Sequence, residues 1–350
     1  MTQDPEVLIR SESGIGRLTL NRPKALHALT TTMCRMMTDA LLAWRSDDAV
    51  HTVLIDHSGE RGFCAGGDIR MLAESGAGNG AEAREFFHTE YRLNHLLFTY
   101  PKPVVTVMDG VTMGGGVGLA MPSSVRIATE RTTFAMPETG IGLFPDVGGG
   151  WFLPRLPGKA GLWLALTGAR IKGADCVRLG IATHYMPSDH VEGFKAALAG
   201  HPDAIAGALA HFVRDAGPPP LEPHLDDINR LFGLSSVEAI LAGLEQDGGE
   251  WARGQLAVLA TKSPQTLKVA FRQLEHGAAF TDFADNMTME YRIGARVVQR
   301  HDFLEGVRAV IVDKDNNPRW NPIAVEAVGD DLLDAIFAPL VADEEWTPLT

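Results

Sequence analysis

Glu138 and Asp146 lie in a run of apolar residues and turn formers, Met136-Pro137-Glu138-Thr139-Gly140 continuing to Phe144-Pro145-Asp146-Val147-Gly148. Carboxylates in such surroundings serve as nucleophile, general base or substrate-orienting group. For Asp146 an equally good reading is the cap of a helix beginning near Gly148. Glu90 shares a helical stripe with Phe86, Leu93 and Leu97, and a carboxylate buried there is costly unless it is paired or used. The spacing leaves open an ion pair with Arg126 or another cation, or a helix rotated enough to keep Glu90 wet.

Two glycine clusters, Ala65-Gly66-Gly67 and Gly114-Gly115-Gly116, each stand where a strand-like segment leads into a helix. Backbone N–H groups at such a point are free to face an oxyanion. Either cluster alone reads equally well as a tight turn or a close helix contact. Two of them on neighbouring strands supply the two convergent donors that an oxyanion hole needs, and loss of one such donor costs about 3–4 kcal/mol of barrier.

The elements that must carry these residues follow from pattern. Residues 7–10 and 16–20 read as a hairpin around Ser13-Gly14, ended by Asn21-Arg22-Pro23. Thr30 caps a helix whose apolar positions are Met33, Met36, Met37, Ala40, Leu41 and Trp44, with methionine as core filler. Residues 52–56 form a buried strand, followed by the turn 62–68 and a helix over 69–74. The unit recurs as strand 104–108, loop 110–116 and helix 117–121, and 124–128 is a further strand. Residues 136–150 read as an ordered functional loop, and 76–80 as a surface loop. Gly217-Pro218-Pro219-Pro220 separates a first part from a mainly helical remainder, and no repeat of solenoid length stands out.

Other classes are set aside on composition and motif. Thirty-one basic against forty-four acidic residues leave a net charge of −13 over 350 residues, which repels nucleic acid. Cys34, Cys64 and Cys176 have neither redox nor metal-ligand spacing and read as reduced, packed thiols. Residues 1–10 lack an apolar h-region and no apolar run reaches membrane length, so a cytoplasmic protein is expected. There is no G-x-S-x-G, H-E-x-x-H or P-loop. Gly76-x-Gly78-x-x-Ala81 follows a helical stretch rather than a strand, so neither a dinucleotide cofactor nor a metal is expected.

Taken together, these residues resemble the crotonase superfamily. The resemblance is carried by Asn-Arg-Pro-Lys-Ala-Leu at 21–26, Phe-Cys-Ala-Gly-Gly-Asp-Ile-Arg at 63–70, Thr-Met-Gly-Gly-Gly-Val-Gly-Leu at 112–119 and the highly specific block at 134–150. Ala-Leu-Thr-Gly at 165–168, Met-Glu-Tyr-Arg at 289–292 and Glu-Gly-Val-Arg-Ala-Val at 305–310 extend it over nearly the whole chain. Within the superfamily the 3-hydroxyisobutyryl-CoA hydrolase branch is the most similar.

The resemblance implies an α/β fold, a crotonase-like spiral of ββα units followed by a C-terminal helical region. Residues 1–205 would form the core carrying the active site, and 206–350 the helical region. It implies an acyl-CoA substrate, with coenzyme A part of that substrate and no separate cofactor. By position, the oxyanion-hole amides fall on Gly67 and Gly115, the main carboxylate on Glu138, its companion on Asp146 and a substrate-contacting acid on Glu90. The 21–26 block corresponds to the loop lining the CoA nucleotide, with Arg22 and Lys24 as phosphate partners and Leu26 as wall.

Hydratases of the superfamily use two glutamates, the first three residues beyond the middle glycine of the Gly-Gly-Gly block. That position is Gly118 here; the second glutamate remains as Glu138, and Asp146 stands where hydratases usually have glycine. The departure favours thioester hydrolysis, releasing 3-hydroxyisobutyrate or 3-hydroxypropionate and free CoA, as in valine catabolism. The alternatives are an enoyl-CoA hydratase/isomerase and a non-catalytic CoA-binding paralogue. His27 replaces an asparagine common among relatives, with no catalytic role evident. Superfamily members form trimers or pairs of trimers, so a homo-oligomer is possible, although the longer C-terminal region could block that arrangement.

Overall fold

Ten strands form among the described residues, which are 4–199 and 204–349 of a computed structural model. Part of the stretch read for a leader, residues 1–3, lies outside them. In chain order the strands are β1 (Val7–Glu12), β2 (Ile15–Leu20), β3 (Thr52–His57), β4 (Gly62–Cys64), β5 (Val104–Met108), β6 (Val111–Met113), β7 (Val125–Ala128), β8 (Thr133–Ala135), β9 (Ile171–Lys172) and β10 (His184–Tyr185).

β1 and β2 are the expected antiparallel hairpin. Ser13 and Gly14 turn it with φ of 51° and 82°, the paired positive values that match strand twist in a two-residue loop. The main sheet runs β1-β2-β3-β5-β7-β10, and every pairing after the hairpin is parallel. Parallel strands are covered on both faces, which is why Thr-Val-Leu-Ile-Asp in β3 and Val-Val-Thr-Val-Met in β5 are buried throughout. Leu54, Val105, Val107 and Ile127 pack against Phe194, Leu198 and Ala208 from the helical residues that follow. A second sheet, β4-β6-β8-β9, carries the two glycine turns.

The chain divides into two compact units. One takes the chain up to Gly67, Arg92–Phe134 and Arg170–Glu222; the other takes Asp68–Tyr91, Ala135–Ala169 and the chain from Pro223 onward. Both sheets build the first unit. The second is mainly helical, and its longest helix lying wholly within it is Pro264–Ala279. Ser263 caps that helix by accepting from Thr266 N–H, and Pro264 at the first position has no N–H to satisfy. Asp282 caps Phe283–Val297 in the same way. No helix of the described residues is long and apolar enough to cross a membrane.

Thr30 caps the helix Thr31–Arg45, whose Met33, Met37, Leu41 and Trp44 are buried. Two expectations need correction. Residues 76–80 are not a surface loop, because the helix Ile69–Ala77 runs on through Gly76. A Cβ on Gly76 would lie 2.1 Å from Val298 O, so this glycine serves a close helix contact, and the connection shrinks to Gly78-Asn79-Gly80. The loop expected over 110–116 contains β6, and its helix, Gly115–Ala120, begins two residues early. The three cysteines are buried, as expected of packed thiols.

Candidate active site

In the first unit, β4 and β6 pair in parallel, with Gly62 opposite Val111 and Cys64 opposite Thr112. Their glycine turns therefore come to lie side by side. Gly66 has φ of 120° and Gly114 of 46°, and a Cβ on Gly66 would be 3.9 Å from both Gly114 Cα and Gly115 N. Gly116 tightens the contact, since a Cβ there would meet Cys64 O at 2.5 Å. Hydrogen bonds around the turns belong to neighbours: Leu29 N–H donates to Gly66 O at 2.8 Å, and Val117 N–H to Gly114 O at 2.7 Å. Gly67 N–H and Gly115 N–H have no acceptor among the described residues. Two adjacent, unclaimed amides are the arrangement an oxyanion requires. Gly118 is buried in the same unit and offers no carboxyl; its carbonyl accepts from Asn94 Nδ2 at 3.0 Å.

The 21–26 block ends in strain. Leu26 and His27 have φ of 49° and 55°, unusual for residues with a Cβ. His27 holds this turn: its Nδ1 accepts from Arg22 N–H at 3.0 Å and its Nε2 lies 2.9 Å from Ser58 O. That pair fixes the neutral tautomer protonated on Nε2, and burial pushes the imidazole down to about 4. The residue without evident catalytic role is thus a brace. Arg22 donates through Nη1 to Ala28 O and pairs through Nε with Glu6 at 3.2 Å, while Lys24 is exposed.

The acids gather in the second unit. Glu138 opens a short 3-10 turn, Glu138–Ile141. Gly142 closes that turn with φ of 71°, and a Cβ there would collide with Asp302 O at 2.2 Å. Thr139 anchors it by donating from Oγ1 to Leu166 O and accepting Ser263 N–H, both at 3.1 Å. Glu138 is only 5% exposed, and its Oε2 has no hydrogen-bond partner among the described residues. Burial, with Asp146 adding repulsion, holds its carboxyl well above the usual range.

Asp146 is likewise buried, and desolvation raises it to about 7 although Tyr91 donates to its Oδ2 at 2.9 Å. Its side chain does not cap the next helix, Gly149–Phe152, which has Gly148 at the cap position and no side-chain bond there. Glu290 takes that work from far along the chain, accepting Gly148 N–H at 2.7 Å and Gly150 N–H at 2.9 Å. Asn286 Nδ2 and Gln273 Nε2 also donate to it, at 2.9 and 3.1 Å. Burial pushes Glu290 up to about 8, opposed by those N–H donors.

Glu90 is 2% exposed, with Oε1 unpartnered among the described residues. The Arg126 guanidinium, a candidate partner by spacing, is taken up by the carbonyls of Ile181, Ser123 and Gly180. Burial first, then Asp146 and Glu290, raise Glu90 well above the ordinary range. Carboxyls held this way can exchange a proton near neutral pH, attack, or activate water. No group of three or more His, Cys, Asp or Glu that could hold a metal occurs among the described residues. Tyr91, Gln273, Asn286 and Glu290 were not singled out as site residues from the sequence. The Met-Glu-Tyr-Arg block at 289–292 was the available signal for Glu290.

Parallel ββα units with paired glycine turns and buried acids define a member of the enoyl-CoA hydratase/isomerase family, to which the chain belongs; the family's model matches residues 15–337. Within that family the chain is 46% identical to the 3-hydroxyisobutyryl-CoA hydrolase, mitochondrial, of Xenopus tropicalis, covering 97% of this chain and 90% of that one. It is 43% identical to the protein of the same name from Homo sapiens, over 96% and 89%. Among solved structures, a carnitinyl-CoA dehydratase from Mycobacterium thermoresistibile superposes with a TM-score of 0.94 at 41% identity, covering 98% of this chain and 99% of that one. An enoyl-CoA hydratase from Rhodobacter sphaeroides 2.4.1 gives 0.91 at 39%, over 98% and 100%. The crotonase fold expected from the sequence blocks therefore holds. The expected cytoplasmic location does not: the hydrolases that the chain resembles are mitochondrial by name. An N-terminus without a secretory h-region says nothing about other targeting routes.

Proposed function

We propose that this chain hydrolyses the thioester of 3-hydroxyisobutyryl-CoA, with 3-hydroxypropionyl-CoA as an adjacent substrate. The observation that carries this reading is identity of 43–46% to hydrolases of that name over nearly the whole chain. The site residues agree with it. In the proposed reaction the Gly67 and Gly115 amides stabilise the oxyanion formed when the thioester carbonyl is attacked. Glu138 either attacks the carbonyl, expelling CoA thiolate and leaving an anhydride that water cleaves, or deprotonates the water that attacks directly. Asp146 and Glu90 hold the β-hydroxyl or take and return the proton. Arg22, Lys24 and Leu26 line the nucleotide end of CoA.

Hydration is the second reading, favoured by the names of the two solved structures. Gly118 weighs against it, since a hydratase places a carboxylate there and glycine cannot supply one. Thiol release from a panel of short acyl-CoA thioesters, run beside crotonyl-CoA hydration, tests both. Rapid CoA release from the 3-hydroxyacyl thioesters with no hydration is expected; the reverse overturns the proposal. A single turnover in heavy-oxygen water separates the two routes, because only the anhydride route leaves label in Glu138.

A further inference from the structure

We infer that Glu290 is a positioning residue for Asp146, acting through the backbone of the turn that carries it. The inference deepens the hydrolase reading and rests on it.

The turn needs holding. Val147 has φ of 52° and Gly148 of 93°, and a β-branched residue in the left-handed region is a genuine outlier that persists only when its surroundings over-determine it. Those surroundings are the Glu290 carboxylate and its partners. Oε2 takes Gly148 N–H and Oε1 takes Gly150 N–H, so each oxygen serves one backbone amide. On the other side of Asp146, Gln273 Nε2 donates to Pro145 O at 2.7 Å while also reaching Glu290 Oε1. The backbone is thus gripped immediately before Asp146 and two residues after it.

The fit is close. A Cβ on Gly150 would lie 2.6 Å from Asn286 Oδ1 and 3.1 Å from Glu290 Oε1, and one on Gly277 would lie 1.8 Å from Gly150 O. Glu290 itself is fully buried. A glutamine could not replace it, because it offers one acceptor oxygen where two amides need two, and its NH2 would face an N–H. Besides its N–H donors, the titratable groups whose charges Glu290 feels or affects are Asp146, Glu90 and Tyr91.

The test uses the full-length enzyme and thiol release from 3-hydroxyisobutyryl-CoA. For E290Q, kcat falls by about a hundredfold, the loss typical of a reacting group displaced by about 1 Å, while KM changes little. Because burial keeps Glu290 largely protonated below about pH 8, the acidic limb of E290Q stays near its wild-type position and the loss appears in kcat, which separates displacement of Asp146 from a change in its charge. E290D, which keeps two acceptor oxygens for the Gly148 and Gly150 amides but is one methylene short, recovers part of the kcat lost in E290Q. A wild-type kcat in E290Q overturns the inference. Should E290Q fail to fold, as judged by near-ultraviolet circular dichroism, Gln273→Met replaces it. That variant frees Pro145 O, and an unchanged kcat there overturns the inference equally. E138Q and wild type are assayed alongside. No turnover by wild type, or full turnover by E138Q, sinks the hydrolase reading and this inference with it. Active wild type, dead E138Q and unaffected E290Q sink the positioning role alone.

Discussion

Tyr91 donates its hydroxyl to Asp146 Oδ2 at 2.9 Å, and both side chains are buried. This hydrogen bond favours the charged carboxylate and opposes the desolvation that lifts Asp146 to about 7. Hydrogen bonds to charged groups contribute about 1.5–3 kcal/mol. Tyr91→Phe therefore raises Asp146 further, and the acidic limb of kcat/KM moves up by about one to two pH units. A limb that stays in place or moves down removes Asp146 from the rate-controlling ionisation.

Glu138 has one carboxylate oxygen with no protein partner, and the proposed reaction begins there. Glu138→Gln keeps shape and burial but cannot attack or accept a proton. The expected loss in kcat is about a thousandfold or more with KM within a few-fold, the signature of an interaction made only in the transition state. Steady-state thiol release checks this, and cleavage at the wild-type rate would remove Glu138 from the mechanism.

Raised acids also affect stability, with a definite sign. Asp146 titrates near 3.8 when unfolded and about 7 when folded, so between those values the native state binds the extra proton. Its contribution is fully present below about pH 4 and is lost as pH rises through 7. Asp146→Asn mimics the protonated form. Urea unfolding should show the variant more stable than wild type at pH 8, less so at pH 5 and nearly equal to it at about pH 3.5, while catalysis is lost. Equal stability at pH 8 would mean that Asp146 pays no cost for its charge.

Gly116 lets the two amide-bearing turns lie close. An added methyl would stand 2.5 Å from Cys64 O, so Gly116→Ala forces β4 and the 114–116 turn apart. One misdirected oxyanion donor costs about a hundredfold to a thousandfold in kcat. Thiol-release kinetics on the folded variant should show that loss with KM little changed. An unaffected kcat would argue against the Gly67 and Gly115 pair as the oxyanion site.

The sequence by itself determined the local elements and the residue types at the proposed reacting positions. The hairpin, the fully buried parallel strands and the Thr30-capped helix follow from period, β-branching and capping within short windows. Glu138, Asp146 and the glycine clusters were visible because acids among apolar residues, and runs of glycine, are conspicuous without any partner. The blocks that carry them also identified the crotonase fold. What the tertiary structure decided is who holds each of these groups. Whether Asp146 capped its helix or stood free for chemistry depended on Glu290, 142 residues from Gly148 in the chain. Glu90 turned out buried, with Oε1 unpartnered among the described residues, and His27 proved to be a brace. Gly76 became a helix contact because Val298 lies against it. Hydrogen bonds and close approaches between distant segments leave no local periodicity, so only the folded chain reveals them.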